Sequence, residues 1–170
     1  MNSLDENKER VINFEELYLA LDAASSDLYS FAISVCGGRA SEAEALLLDT
    51  LFLCLEKMWF VQNDKGKLSH DEYREEFFTS FWLSFQKQAK LFQFEVNRHN
   101  IASEHHGRFY QLPLFMRASI FLRAKSKFSE DSISRILGIT ETEVSANLTR
   151  GRDVLLGREF KNKLILEDSF

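Results

Sequence analysis

Few side chains in this sequence have the types and the spacing that metal binding or catalysis requires. The best candidates for a metal site are His99, His105, His106 and the nearby Glu104. Zinc sites usually place two ligands at positions i and i+4 of a helix or in paired-cysteine loops, and neither pattern is present. A chance cluster of histidines in a polar stretch is the preferred interpretation, so no metal and no other cofactor is expected.

Motifs for catalysis are also missing from the sequence. There is no phosphate-binding loop, no dinucleotide-binding glycine pattern, no nucleophile elbow and no HExxH pair. Cys36 and Cys54 are not spaced as a metal pair and lie on apolar stretches, where cysteine usually serves as a small buried residue. We therefore expect a protein that is not an enzyme.

The strongest functional pattern lies between residues 129 and 155. Ser129 can cap a short helix, Gly138 can end it, and Thr140 can cap a second helix. The second helix carries an inward stripe: Val144, Leu148, Gly151 and Leu155. A short helix, a glycine turn and a longer amphipathic helix are typical of a helix-turn-helix, whose second helix reads the DNA major groove. A plain helical hairpin that serves only packing is the alternative.

Helix-start and helix-stop signals show which elements position this segment. Three Ser/Thr-to-Glu pairs fit capping boxes: Ser41–Glu44, Ser69–Glu72 and Thr140–Glu143. Gly37 and Gly38 indicate a helix end. Helices are predicted over 14–22, 26–36, 41–60, 71–96, 112–125, 129–137 and 141–157. Residues 61–70 are predicted to form a polar loop.

Composition favours a single soluble helical protein. The chain has 170 residues, 45% of them hydrophobic. One proline and seven glycines are few for the many tight turns of a β-sandwich or barrel. The fold class is therefore predicted as all-α. No apolar run approaches the roughly 20 residues that span a bilayer. No signal-peptide core is present, so a cytoplasmic protein without membrane contact is expected.

Charge is divided unevenly along the chain, whose net charge is −5. Residues 1–108 are acidic and residues 109–170 slightly basic. We predict two small helical modules, residues 1–96 and 109–170, joined by a short linker over residues 97–108. Because opposite charges attract, a compact closed arrangement of the two modules is expected.

Two stretches resemble segments of the extracytoplasmic-function sigma factors. Residues 112–156 resemble region 4 of that family through these positions: Leu112-Pro113, Arg117, Ile133, Leu137-Gly138-Ile139, Val144, Leu148, Arg150 and Arg152. Residues 28–59 resemble region 2 through Ala43-Glu44 and Asp49-Thr50, with aromatic residues following. The two matches occur in the order of the family, with a linker between them.

The resemblance implies a sigma-like transcription initiation factor. Its N-terminal domain would bind the β′ coiled coil of core RNA polymerase through Glu44, Leu48, Asp49, Phe52 and Leu55. Residues 82–98 would melt promoter DNA, and the residues that would do so are Trp82, Lys87, Lys90 and Arg98. The C-terminal domain would bind the polymerase β flap and read −35 promoter DNA with Thr142, Ser145, Ala146, Asn147, Thr149, Arg150 and Arg152. An anti-sigma factor is a further implied partner.

The first module departs from the family in two ways. Ala45 and Leu48 stand where the family has an acidic residue and a glutamine, so the docking face loses polar groups. The melting stretch has few cations to neutralise phosphates. Its aromatic residues recur at helical spacing and are predicted to be core rather than base-stacking platforms: Phe78, Trp82, Phe85 and Phe92.

The second module and the linker depart as well. Ser145 and Asn147 stand where the family commonly has cations, and Glu141 and Glu143 place negative charge at the helix end that should face phosphates. Autonomous DNA binding is therefore expected to be weak. The linker is also shorter than usual, which limits how far apart the modules can sit.

Three hypotheses follow from the sequence. The first is a promoter-specific sigma factor that loads polymerase. The second is a degenerate sigma-like adaptor or regulator that binds a protein partner, of the polymerase or anti-sigma type, without ordinary promoter recognition. The third is a small helical interaction protein with an incidental helix-turn-helix.

Overall fold

A computed structural model of the chain describes residues 14–65, 68–92 and 104–158. These residues form seven α-helices and no strands, which confirms the predicted all-α class. The helices are α1 (Phe14–Val35), α2 (Ala40–Lys65), α3 (His70–Phe92), α4 (Glu104–Gln111), α5 (Leu114–Ala124), α6 (Glu130–Leu137) and α7 (Glu141–Leu155). None of these helices is long and apolar enough to cross a membrane.

Helix α1 is continuous where the sequence predicted two helices, over 14–22 and 26–36. Residues 23–25, Ala-Ala-Ser, lie between the two predicted helices and continue the helix, and serine hydroxyls in and after this stretch bond to the preceding turn. The Ser25 hydroxyl donates to the Asp22 carbonyl at 2.7 Å, and the Ser30 hydroxyl donates to the Ser26 carbonyl at 2.8 Å. Serines that bond back to the preceding turn are compatible with a helix that continues.

Two of the three predicted capping boxes are present. Ser69–Glu72 and Thr140–Glu143 form as expected. The box predicted at Ser41–Glu44 is wrong, because α2 begins at Ala40 and Ser41 is already helical. Helix α2 also continues to Lys65, so residues 61–65 are helical rather than part of the predicted loop.

Helix α4 occupies part of the predicted linker, since residues 104–108 are helical. Residues 97–103, the rest of that linker, lie outside the described residues. The Tyr110 ring of α4 packs over Gly38, which has a φ of +84° and would place a Cβ 3.5 Å from the ring. The glycine turn after α1 thus provides the surface against which α4 packs.

One continuous core joins the two predicted modules. Phe31 of α1 meets Phe121 of α5 with ring centroids 5.5 Å apart. Trp82 of α3 meets Phe115 of α5 at 5.3 Å, edge to face. The predicted core positions Phe78, Trp82 and Phe85 are buried, whereas Phe92 has no described side chain. The closed arrangement is therefore mainly an aromatic contact.

Polar contacts reinforce the closed arrangement. The Trp82 Nε1–H donates to the carbonyl of Leu137, the last residue of α6, at 3.1 Å. Arg135 of α6 forms an ion pair with Glu75 of α3, with 2.6 Å between Nε and Oε1. The acidic partner lies in the first module and the basic partner in the second, in the sense that the charge division predicts.

Arg117 is the most buried charged residue of the described chain, with 2% of its surface exposed. Its guanidinium donates to three backbone carbonyls, those of Val35 at 3.2 Å, Tyr110 at 2.9 Å and Leu112 at 3.3 Å. Burial lowers the pKa of the guanidinium. Val35 ends α1 and Tyr110 lies in the last turn of α4, so one side chain links the end of α1 to α4 and α5.

We expect Arg117→Met to lower the free energy of unfolding by about 3 kcal/mol, because three buried carbonyls lose a charged donor. Urea unfolding followed by circular dichroism measures the change. Arg150→Met removes an exposed arginine and should shift stability by less than about 0.5 kcal/mol. An equally small effect of Arg117→Met would contradict the bridging role.

Candidate partner-binding and DNA-binding surfaces

Helix α2 turns an apolar ridge toward solvent. Its inward residues are buried: Ala43, Leu46, Thr50 and Cys54. Its outward residues Leu48, Phe52 and Leu53 are 60%, 73% and 52% exposed. We call these three residues the α2 ridge. Exposed apolar residues clustered on one helix face are typical of a protein-binding surface.

Two carboxylates of α2 lie beside the α2 ridge. Glu44 accepts a hydrogen bond from the Tyr29 hydroxyl of α1 at 3.0 Å, and this bond raises the pKa of Tyr29. Asp49 accepts a hydrogen bond from the Gln88 side chain of α3 at 3.2 Å. The bonds hold the two carboxylates beside the ridge, which suits a partner with apolar residues bordered by cations.

The residues predicted to bind polymerase share this surface. Glu44, Leu48, Asp49 and Phe52 are all exposed on α2. The side chain of Leu55 lies outside the described residues. Sequence reasoning missed Leu53 and Tyr29. Leu53 could have been predicted, because it is an apolar residue outside the inward stripe of α2. The contact of Tyr29 with Glu44 joins residues fifteen positions apart, and no local sequence feature indicates it.

Of the residues predicted to melt promoter DNA, the structure describes the side chains of Trp82 and Lys87. Trp82 is fully buried and stacks on Phe85 with ring centroids 5.7 Å apart. Lys87 is exposed on α3. The side chain of Lys90 and all of Arg98 lie outside the described residues, so the melting role of this set stays a prediction.

The N-terminus of α7 is closed by its own capping box. The Thr140 N–H donates to a Glu143 carboxylate oxygen at 2.8 Å, and the Glu143 N–H donates to the Thr140 hydroxyl at 3.2 Å. The backbone hydrogen bond from Thr140 lowers the pKa of Glu143, and the hydroxyl bond adds to the effect. Helix N-termini attract phosphates through free N–H groups, but here a carboxylate already occupies that end.

The residues predicted to read DNA all lie on α7, but they divide between its two flanks. Ser145, Thr149 and Arg152 line a groove against α5. The others line a recess beside Phe115 and Ile139: Thr142, Ala146, Asn147 and Arg150. Ala146 and Asn147 are half-buried and the other five are exposed. The DNA-reading role of these residues stays a prediction.

Metal and thiol chemistry find little support among the described residues. No group of three His, Cys, Asp or Glu side chains within them is placed to hold a metal ion. His99 and the side chains of His105 and His106 lie outside the described residues. Cys36 and Cys54 are both buried, and burial raises the pKa of the Cys36 thiol to about 11. Such a thiol is protonated and unreactive at neutral pH.

Comparison with known proteins shows a sigma-like fold. The sequence matches no protein-family model and no curated protein. It is similar in structure to the sigma factor RpoE of Bartonella quintana, solved in complex with the anti-sigma factor NepR. The two are 24% identical with a TM-score of 0.58, and the match covers 87% of this chain and 97% of RpoE.

A second structural neighbour is the anti-anti-sigma factor PhyR of the same organism, solved in complex with NepR. It is 17% identical with a TM-score of 0.56, and the match covers 82% of this chain. The match covers 49% of PhyR, so this chain spans about half the length of that protein.

We expect Glu143→Gln to remove part of the loss of stability that the protein shows as the pH falls. The lowered pKa means that the carboxylate stabilises the fold at neutral pH, and that this contribution is lost as the pH falls through the folded-state pKa. Urea midpoints should therefore differ between wild type and variant at about pH 7 and converge as the pH falls below the folded-state pKa of Glu143. A difference that stays constant over this range would contradict the role of the carboxylate.

If the chain is a degenerate sigma-like adaptor, we expect Ser145→Lys with Asn147→Arg to create salt-dependent DNA binding that the parent lacks, because the pair adds cations where α7 has neutral residues. Fluorescence anisotropy with a labelled duplex at several salt concentrations measures the gain. Ser145→Gln with Asn147→Gln alters the same positions without adding charge and serves as the control. Equal affinity of parent and charged variant would count against this account of α7.

Proposed function

We propose that this chain is a sigma-like regulator of transcription that binds a protein partner of the anti-sigma type through the α2 ridge. The observation that carries the proposal is the closed arrangement, in which Trp82 is buried while Leu48 and Phe52 stay exposed. An exposed apolar ridge supports association with a protein. A buried tryptophan does not support the stacking on unpaired bases that promoter opening needs.

Two further observations support a protein partner over promoter DNA. Both structural neighbours were solved in complex with the same anti-sigma factor, NepR. The N-terminus of α7 carries the fixed carboxylate of Glu143 and the exposed Glu141, which repel a phosphate backbone. The adaptor hypothesis from the sequence is therefore the one that we favour.

The chemistry of the ridge specifies what its partner should present. Leu48 and Phe52 can fill apolar depressions on a partner helix, while Glu44 and Asp49 can pair with lysine or arginine at its edges. Among the described residues, Phe52 is the most exposed of the large hydrophobic side chains, and its ring is the expected energetic centre of the contact.

A second candidate function is a promoter-specific sigma factor that binds core RNA polymerase through the same ridge. The match over 97% of the RpoE chain favours it, because both halves of that sigma factor have counterparts here. In this case the β′ coiled coil would occupy the ridge, the β flap would contact the C-terminal half, and α7 would bind −35 DNA.

We expect Leu48→Asp with Phe52→Asp to weaken binding of NepR from Bartonella quintana by at least about 30-fold, because the change removes two central apolar contacts. Isothermal titration calorimetry with the full chain measures the affinity. The matched control is Leu83→Asp, an equally exposed leucine on α3, which should leave the affinity unchanged.

A parallel sizing-column experiment with core RNA polymerase separates the two candidates. Binding of NepR without polymerase supports the proposed regulator. Polymerase binding followed by run-off transcription from a promoter supports the sigma factor instead. Failure to bind either protein, or NepR binding that the ridge variant leaves intact, would overturn the proposal.

A further inference from the structure

The two carboxylates beside the α2 ridge are hydrogen-bonded from two different helices. Glu44 Oε1 accepts from the Tyr29 hydroxyl of α1 at 3.0 Å, and Asp49 Oδ2 accepts from Gln88 Nε2 of α3 at 3.2 Å. The second oxygen of each carboxylate accepts no hydrogen bond from the described residues. Because a carboxylate accepts several hydrogen bonds, each of the two can bind a partner's donor while it stays bonded within the chain.

The donors that hold these two carboxylates are neutral. Within the described part of the chain, neither Glu44 nor Asp49 forms an ion pair. The hydrogen bond to Glu44 raises the pKa of Tyr29, so the phenol stays protonated and donates at neutral pH. Three other carboxylates of the first module pair with arginines instead: Glu42 with Arg39, Asp27 with Arg74, and Glu75 with Arg135.

The consequence is a fixed negative charge that is open to solvent. Glu44 and Asp49 are exposed, Tyr29 is 37% exposed and Gln88 is half-buried. A long exposed side chain loses rotamer freedom when it pairs with a partner. A hydrogen bond that orients the side chain beforehand reduces this loss, and it does so without neutralising the charge when the donor is uncharged.

We propose that Tyr29 and Gln88 are positioning residues that make the α2 ridge specific for a partner helix with lysine or arginine at each edge of its apolar face. The inference rests on the proposed function, because it takes the same ridge as the partner-binding surface. Contact with Leu48 and Phe52 supplies affinity for any apolar helix. The two oriented carboxylates select among such helices, since acidic edges would place like charges together.

The first experiment is isothermal titration calorimetry of the full chain with NepR from Bartonella quintana. Tyr29→Phe removes only the hydroxyl, and Gln88→Met removes the amide at similar length. Each should weaken binding by about threefold or more, and the two together by about tenfold. The matched controls are Tyr18→Phe on α1 and Gln86→Met on α3, whose polar groups bond no carboxylate among the described residues. They should leave the affinity unchanged.

The second experiment measures specificity directly with two labelled helical peptides of about 20 residues. Both have leucines at i, i+3, i+4 and i+7, with lysines at the edges of that face in one peptide and glutamates in the other. By fluorescence anisotropy, the full chain should prefer the lysine peptide by at least about tenfold. The preference should shrink in the Tyr29→Phe, Gln88→Met chain and should vanish in the Leu48→Asp, Phe52→Asp chain as binding of both peptides is lost.

A double-mutant cycle separates positioning from a structural role. Glutamine at position 44 can still accept a bond from Tyr29 but carries no charge. In the Glu44→Gln chain, Tyr29→Phe should therefore change lysine-peptide binding by less than about 1.5-fold. An effect as large as in the wild type would mean that the bond only supports the packing of α1 on α2, and it would overturn the inference. Circular dichroism checks that each variant is folded.

The outcomes distinguish this inference from the proposed function. Binding of NepR that Leu48→Asp with Phe52→Asp weakens, but that Tyr29→Phe with Gln88→Met leaves unchanged, supports the proposed function and overturns the inference. No binding of NepR, together with a peptide preference that depends on Tyr29 and Gln88, overturns the proposed function and supports the inference. Equal affinity of the wild type for the two peptides would overturn the inference whatever NepR does.

Discussion

A guanidinium buried without a carboxylate holds the two halves of this chain in one body. Arg117 donates to carbonyls at or near the ends of α1 and α4 and just after α4. The carboxyl end of a helix carries partial negative charge, so these carbonyls can stabilise a cation without a formal anion. Its Nε has no hydrogen-bond partner among the residues that the structure describes. Desolvation of a charge is costly, and the site is tolerable only while α1, α4 and α5 stay together.

The packing of the two halves against each other determines which side chains are exposed to solvent. The aromatic residues that join α1, α3, α5 and α6 are buried in the core, and Trp82 is one of them. The α2 ridge stays outside this core, bordered by Glu44 and Asp49. A ridge of this kind is suited to select a protein segment by charge as well as by shape.

Local signals in the sequence predicted the local structure well. The glycines after α1 and α6 take the left-handed conformation that ends a helix, and two Ser/Thr-to-Glu pairs form their capping boxes. These features depend on residues three or four positions apart, so the sequence alone specifies them. The aromatic stripe of α3 was also predicted as core, because its helical period identifies one buried face.

Features set by distant residues were not predictable in the same way. Helix α4 packs on Gly38, and the carbonyls around Arg117 come from two separate helices. The carboxylate of Glu44 was expected to cap α2, yet it accepts a bond from Tyr29 on another helix. In the candidate surfaces, the sequence identified Leu48 and Phe52 by position, but Gln88, which holds Asp49 beside them, lies on a different helix.

The hydrogen bond between Trp82 and Leu137 has a consequence for synthesis on the ribosome. The two residues are 55 positions apart. At about 5–20 residues per second, Trp82 is synthesised roughly 3 to 11 seconds before Leu137 of α6. During that interval the Trp82 face of α3 lacks its α6 partner, so the yield of folded protein depends on how well aggregation of the nascent chain is prevented.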